Sequence, residues 1–328
     1  MPTFDRRTLL TSSTRVVLAT GVAGLLAKSS LSVAPAELAK TFTAEVDSKH
    51  PIAIFTKVFQ SHTFTELSEA IVTIGADGVE ATIRSKGHID PEQADTLIPK
   101  LVEALGKNKK RLLIAATGIT QADKSNEKLL TVLRDNGVRH YRMGYYRYEK
   151  SPSSGSMLQQ VRDAAAKAKD LAALNRELGV VGLYQNHYGK DYVGSLIWDL
   201  AILMEGIDRQ DMGIALDLRH LRAEIAGSYP SAVNVIRPHL GSIFLKDTRR
   251  EAVEGKSLTE SSPKDVPLGE GLVQKELFRD VLQSIPPAPI SLHVEYFGQN
   301  AIPVSEIKPV IDAYHRDLAT LRNWMSVS

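Results

Sequence analysis

Gly179-Val180-Val181-Gly182-Leu183-Tyr184-Gln185-Asn186-His187, followed by Gly194 to Glu205 and then by Met212-Gly213-Ile214-Ala215-Leu216-Asp217-Leu218, is the stretch that decides the architecture. Two short apolar runs rich in β-branched residues flank an amphipathic segment, the pattern of strand, helix and strand. The same unit repeats outward in both directions. Strands are expected at 52–55, 78–83, 111–117, 140–146, 180–187, 212–218, 242–246 and 290–296, and helices at 65–74, 91–105, 126–136, 156–178, 194–205, 229–239, 272–284 and 304–324. Pro91 after Asp90 suits a helix start, and Gly137 and Gly179 follow helix ends, where a left-handed residue is wanted. Strict alternation implies parallel strands joined by right-handed crossovers. Eight repeats favour a single-domain α/β fold, a (β/α)8 TIM barrel, over an open doubly wound sheet, and no Gly-x-Gly-x-x-Gly turn follows the first strand.

The first residues read differently. Asp5-Arg6-Arg7-Thr8-Leu9-Leu10, an apolar run from Val16 to Ala27, and Ala34-Pro35-Ala36 have the layout of an export signal with paired arginines. The expected organisation is a twin-arginine-type signal peptide over 1–36, a tether over 37–50 and the barrel over 51–328, with a periplasmic or otherwise exported location. An uncleaved anchor is the alternative, but the run is shorter than the ~20 apolar residues a span needs. No later stretch has the length and apolarity of a membrane span, so none is expected once the signal is removed. Without residues 1–36 the chain is close to charge balance. A nucleic-acid partner, which needs a basic surface, is therefore not expected. The chain has no cysteine, so any metal site must be built from oxygen and imidazole.

In a barrel, chemistry belongs to polar side chains at the C-terminal ends of the strands. Period-two alternation puts Gln185 and His187 on one face of the fifth strand. Asp217, Lys246 and Glu295 arrive at the same rim from the last three strands. Two readings of that trio stay open: a buried ion-pair network neutralised by Lys246, or carboxylates that hold a divalent cation with room for sugar hydroxyls. The polar segment Arg249 to Gly271, long for such a loop, is a candidate lid.

Several short motifs resemble one family. They are Gly75-Ala76-Asp77-Gly78-Val79-Glu80, Tyr141-Arg142-Met143-Gly144, Gln185-Asn186-His187, Asp217-Leu218-Arg219-His220, Phe244-Leu245-Lys246-Asp247 and Leu268-Gly269-Glu270-Gly271. In order and placement they are similar to those of the xylose-isomerase-like barrels, which include ketose epimerases, inosose dehydratases and hydroxypyruvate isomerase. The resemblance implies a sugar or keto-sugar isomerase or epimerase that abstracts a proton next to a carbonyl, with a small-molecule carbohydrate as partner and a second copy of the chain as an admissible one. It also implies a divalent metal (Mn, Mg, Co or Zn) held at the positions of Gln185, Asp217, Phe244 and Glu295. Phe244 cannot ligate, and Gln185 cannot take up a proton, so the metal site is expected to be degenerate, with Gln185, Asp217 and Glu295 as its remaining ligands. Glu295, His220 and Lys246 are the expected catalytic residues, with Arg142, His187 and His88 expected to bind substrate. A keto-sugar lyase with a single base, or a non-catalytic sugar-binding barrel, stands as the alternative. The apurinic endonucleases of the same superfamily fit neither the charge nor the export signal.

Overall fold

Eight parallel strands close on themselves, and the computed structural model describes residues 49–150, 155–225, 227–252, 261–298 and 300–326. The barrel strands are β1 (Ile52–Phe55), β2 (Gly78–Thr82), β3 (Arg111–Ala116), β4 (His140–Arg142), β5 (Val181–Gln185), β6 (Met212–Asp217), β7 (Leu240–Leu245) and β10 (Ile290–Leu292). Each pairs with its neighbours in sequence order, and β10 returns to pair with β1 through Ile52 opposite Ile290 and Ile54 opposite Leu292. The expected eight-stranded barrel is thus the observed fold. The export signal and all but the last two residues of the tether lie outside the described residues.

The surrounding helices are α1 (Phe64–Ile74), α2 (Ala94–Lys107), α3 (Lys124–Asp135), α4 (Met157–Leu178), α5 (Ile197–Leu203), α6 (Leu218–Glu224), α7 (Tyr229–Ile236), α8 (Lys275–Leu282) and α9 (Lys308–Met325). Their ends follow local chemistry. Thr63 and Glu66 form a reciprocal capping box at the start of α1, and Gly179 closes α4 in the left-handed region at φ 68°. The main core lies between the helices and the outer face of the barrel. A second, smaller cluster fills the barrel interior with Ala53, Leu113, Ile114, Leu183, Ala215 and Phe244.

Two elements differ from the sequence expectation. The apolar run expected as a strand to Leu218 stops at Asp217, because the Asp217 side chain accepts the His220 amide at 2.9 Å and starts α6. The polar segment after β7 is in part a hairpin, with β8 (Asp247–Arg250) antiparallel to β9 (Pro263–Val266), while residues 253–260 lie outside the described residues. Asp247 secures the return of this segment by accepting the amides of Thr248, Gly269, Gly271 and Val273 at 2.7 to 3.0 Å. That explains both glycines: Gly269 sits at φ +92°, and a Cβ on Gly271 would collide with Asp247.

Candidate active site

Alternation along the strands aims Glu80, Arg142, Gln185, Asp217 and Phe244 into the barrel, and the segments just beyond β7 and β10 add Lys246, His293 and Glu295. Asp217, Lys246 and Glu295 meet as expected. The Lys246 ammonium lies 2.9 Å from Glu295 Oε2 and 3.5 Å from Asp217 Oδ2. Burial opposes charge on both Lys246 and Glu295. Attraction wins on both: Asp217 and then Glu295 raise the Lys246 amine, and Lys246, with His293 contributing, holds the Glu295 carboxyl well below the usual carboxylate range. Gln185 completes this side by donating from Nε2 to Asp217 Oδ2 at 2.7 Å. Its Oε1 accepts from Arg142 at 3.0 Å and from the Tyr145 hydroxyl.

A second ionic cluster lies deeper, and the sequence reading missed most of it. Glu80 is fully buried, and its Oε1 stands 3.1 Å from Arg142 Nε in a contact that is ionic rather than an aligned hydrogen bond. Its Oε2 meets the Ser291 hydroxyl and His293 Nε2, the latter at 3.0 Å. Burial raises the Glu80 carboxyl, but Arg142 and His293 bring it down to about 2. Arg142 is expected at the substrate, yet it is buried, with its guanidinium over the ring of Phe55 at 4.7 Å and that of Phe244 at 5.8 Å from their centroids. The signal for this cluster was in the sequence as Glu80, His293 and Arg142 at inward parity; only the barrel brings them together.

His187 and His220 stack at 4.1 Å between centroids, with Tyr192 and Tyr145 against His187. Their tautomers differ. The Tyr188 carbonyl lies 2.8 Å from His187 Nδ1 and needs a donor there, which leaves Nε2 unprotonated; burial pushes this imidazole down to about 4. In His220, Nδ1 faces the Arg219 guanidinium at 3.2 Å and must accept, which puts the proton on Nε2, 3.6 Å from Asp217 Oδ2. Burial and then Lys246 push its titration well below the ordinary range, so the ring is neutral at pH 7. Arg219 also pairs with Asp265 of β9 at 2.7 Å and so ties the hairpin to His220. The contacts of His88, the expected third substrate-binding residue, are those of its own loop: its Nε2 meets the His62 carbonyl at 2.8 Å and its ring packs on Phe64, so it braces the loop after β2.

The residues at the expected metal positions do not fit a divalent cation. Asp217 uses Oδ1 on the His220 amide and Oδ2 on Gln185 and Lys246, and Glu295 Oε2 faces the Lys246 ammonium. Gln185 turns its amide N–H toward Asp217, and its oxygen is held by Arg142 and Tyr145. Phe244 fills the barrel interior where a ligand is expected. Among the described residues no three His, Asp or Glu side chains converge on a cation position. Gln185, Asp217 and Glu295 are therefore hydrogen-bonding and ion-pairing groups here, and Lys246 stands as the internal cation.

Residues 68–324 match the family model described as xylose isomerase-like TIM barrel. Among solved structures, the chain resembles 3-keto-D-glucoside 4-epimerase from E. coli, at 16% identity over 84% of this chain and 99% of that one, with a TM-score of 0.58. It also resembles D-psicose 3-epimerase from Clostridium cellulolyticum H10, solved with D-tagatose, at 13% identity over 84% and 100% and a TM-score of 0.61. A xylose isomerase-like TIM barrel protein from Mycobacterium smegmatis, solved with magnesium, is 15% identical over 82% and 98%, with a TM-score of 0.56. No protein of curated function matches the chain in sequence. No helix among the described residues is long and apolar enough to cross a membrane.

Proposed function

Because the chain belongs to the xylose isomerase-like TIM barrel family, we propose that it takes a keto-sugar at the barrel mouth and moves a proton next to the carbonyl without a divalent metal. The observation that carries this reading is Lys246, whose ammonium stands 2.9 Å from the one glutamate retained at the mouth, Glu295. Glu295 accepts the proton from the carbon beside the carbonyl. The C–H electron pair becomes the carbon–carbon double bond of an enediolate, and the carbonyl oxygen takes the charge. The Lys246 ammonium and the Nε2 proton of neutral His220 meet that charge in a site screened from water.

The arrangement constrains the outcome. An amide at Gln185 cannot return a proton from the opposite face, so inversion at one carbon lacks its second base. Transfer to the neighbouring carbon on the same face, or loss of a β-hydroxyl, needs Glu295 alone. The test is proton exchange in D2O, followed by NMR on a panel of ketoses and keto-glycosides without added metal. Loss of the signal of the hydrogen beside the carbonyl in the wild type, absent in Glu295→Gln, is expected. No exchange on any member of the panel overturns the catalytic reading. The low proton affinity of Glu295 and the changes at Gln185 and Phe244 then favour a barrel that only binds sugar.

A further inference from the structure

The strands all start at the end of the barrel away from the mouth, and this floor is built unlike the interior above it. Arg111 and His140 begin β3 and β4, and Pro51 and Pro289 immediately precede β1 and β10. Each stands two residues before a side chain that faces the interior, namely Leu113, Arg142, Ala53 and Ser291, so period-two alternation turns all four inward. The layers of a barrel interior are ordinarily filled by apolar side chains, and its N-terminal face ordinarily serves stability. Here the floor carries a guanidinium and an imidazole instead.

Beneath these residues lies a cavity of about 160 Å³, lined by Lys49, Arg111, Arg139 and His140 together with three prolines, whose fixed φ keeps the wall rigid. No carboxylate stands on that wall. Lys49, Arg111 and Arg139 are exposed, and among the described residues none of the three forms an ion pair. Arg139 gives one N–H to the Gly179 carbonyl at 2.9 Å, which leaves the rest of its guanidinium open. His140 is half-buried, and its ring has no hydrogen bond to any described residue. Burial, and then repulsion from Arg139 and Arg111, push this imidazole down to about 4, so at pH 7 it is a neutral ring with one N–H to donate.

Three unpaired cations on one wall without a carboxylate, beside an imidazole that lacks a partner, are the complement of an anion. We propose that the floor of the barrel is a binding site for a phosphate group, held by Arg111 and Arg139 through paired N–H groups, by Lys49 as a point charge and by the His140 N–H. A planar carboxylate meets fewer of these donors. A tetrahedral phosphate turns oxygens in several directions at once, which suits donors that arrive from the starts of β1, β3 and β4. The group belongs either to a soluble phosphate or to the headgroup of an anionic phospholipid. The second source has a reason in the chain, because the segment with the apolar run from Val16 to Ala27 joins the barrel through Lys49, at this floor.

The test is NMR of the full chain with ¹⁵N-labelled histidine, titrated with inorganic phosphate at pH 7 while sodium chloride holds the ionic strength constant. Saturable movement of the His140 signals is expected, with those of His187, at the other end of the barrel, unmoved. In the double variant Lys49→Gln, Arg111→Gln, half-saturation is expected at about tenfold more phosphate or higher. Both residues are exposed and unpaired, so the variant keeps its fold. Sedimentation with vesicles then identifies the source. Capture by phosphatidylglycerol but not by phosphatidylcholine, lost in the same variant, assigns the lipid headgroup, whereas phosphate binding without capture assigns a soluble phosphate. No saturable response of His140, a response that chloride reproduces, or the same half-saturation in the variant overturns the site.

Discussion

Two ionic clusters lie in the same barrel, and they differ in what they are open to. The Glu80–Arg142 pair is sealed: Glu80 is fully buried among Ser291, His293 and Arg142, and the guanidinium is itself buried near the rings of Phe55 and Phe244. The Asp217–Lys246–Glu295 cluster has the same kind of charges, but Glu295 keeps 11% of its side chain exposed at the mouth. In the first, the buried charges face only protein groups, so the cluster holds β2, β4 and β10 in place. In the second, a carboxylate and an ammonium stand at the mouth, where the proposed substrate would arrive. Burial alone does not separate architecture from chemistry; access does.

The sharpest way to break this comparison is to neutralise one glutamate in each cluster. Glu80→Gln leaves Arg142 buried without its counterion and is expected to cost about 3–5 kcal/mol of stability. Glu295→Gln leaves Lys246 with Asp217 beside it and is expected to cost only about 1 kcal/mol. Denaturant unfolding of both variants checks this, and similar losses would remove the distinction.

The next effect is on pH. His187, His220 and His140 are neutral in the fold because burial lowers their titration, to about 4 for His187 and His140. The unfolded chain titrates them near 6.5, so it binds more protons than the folded chain between about pH 4 and 6.5. Stability from these groups is full above that window and is lost as pH falls through it. The depressed Glu80 carboxyl adds a loss further down, from its ordinary range toward about 2. A thermal midpoint that falls between pH 6.5 and 4, with a shallower fall in His187→Gln, is expected; a flat profile would contradict the neutral stacked pair. The smallest effect is expected at the hairpin. Asp265→Asn weakens the tie to Arg219 by about 1 kcal/mol or less. It should show as faster amide exchange across β8 and β9 and as a changed tautomer signal of His220 in ¹⁵N NMR, with little change in the denaturation midpoint.

Much of this was legible in the chain. The eight strand–helix units were readable because parallel strands covered on both faces are continuous apolar runs, and helices carry their period on the surface. Asp217, Lys246 and Glu295 were readable as a group because each stands at the end of a strand. The contacts of His88 were not legible, because proximity in sequence to β2 says nothing of which way a loop turns, and a backbone carbonyl of the loop after β1 meets its ring. Helix α6 was hidden because its cap, Asp217, also ends a strand, and the hairpin because polar strands at a barrel rim have no core to give them alternation.

By itself the sequence determined the barrel, the rim on which its polar residues gather and the loss of two expected metal ligands, since these follow from periodicity and residue type. Tertiary structure decided which groups partner which. It alone brings Glu80 to Arg142 and His293 from across the barrel, turns Gln185 toward Asp217 and sets the two imidazoles in opposite tautomers. Those outcomes depend on distances of a few ångströms between residues far apart in the chain, where charge and hydrogen bonding act at a range that closure of the barrel sets and linear order does not.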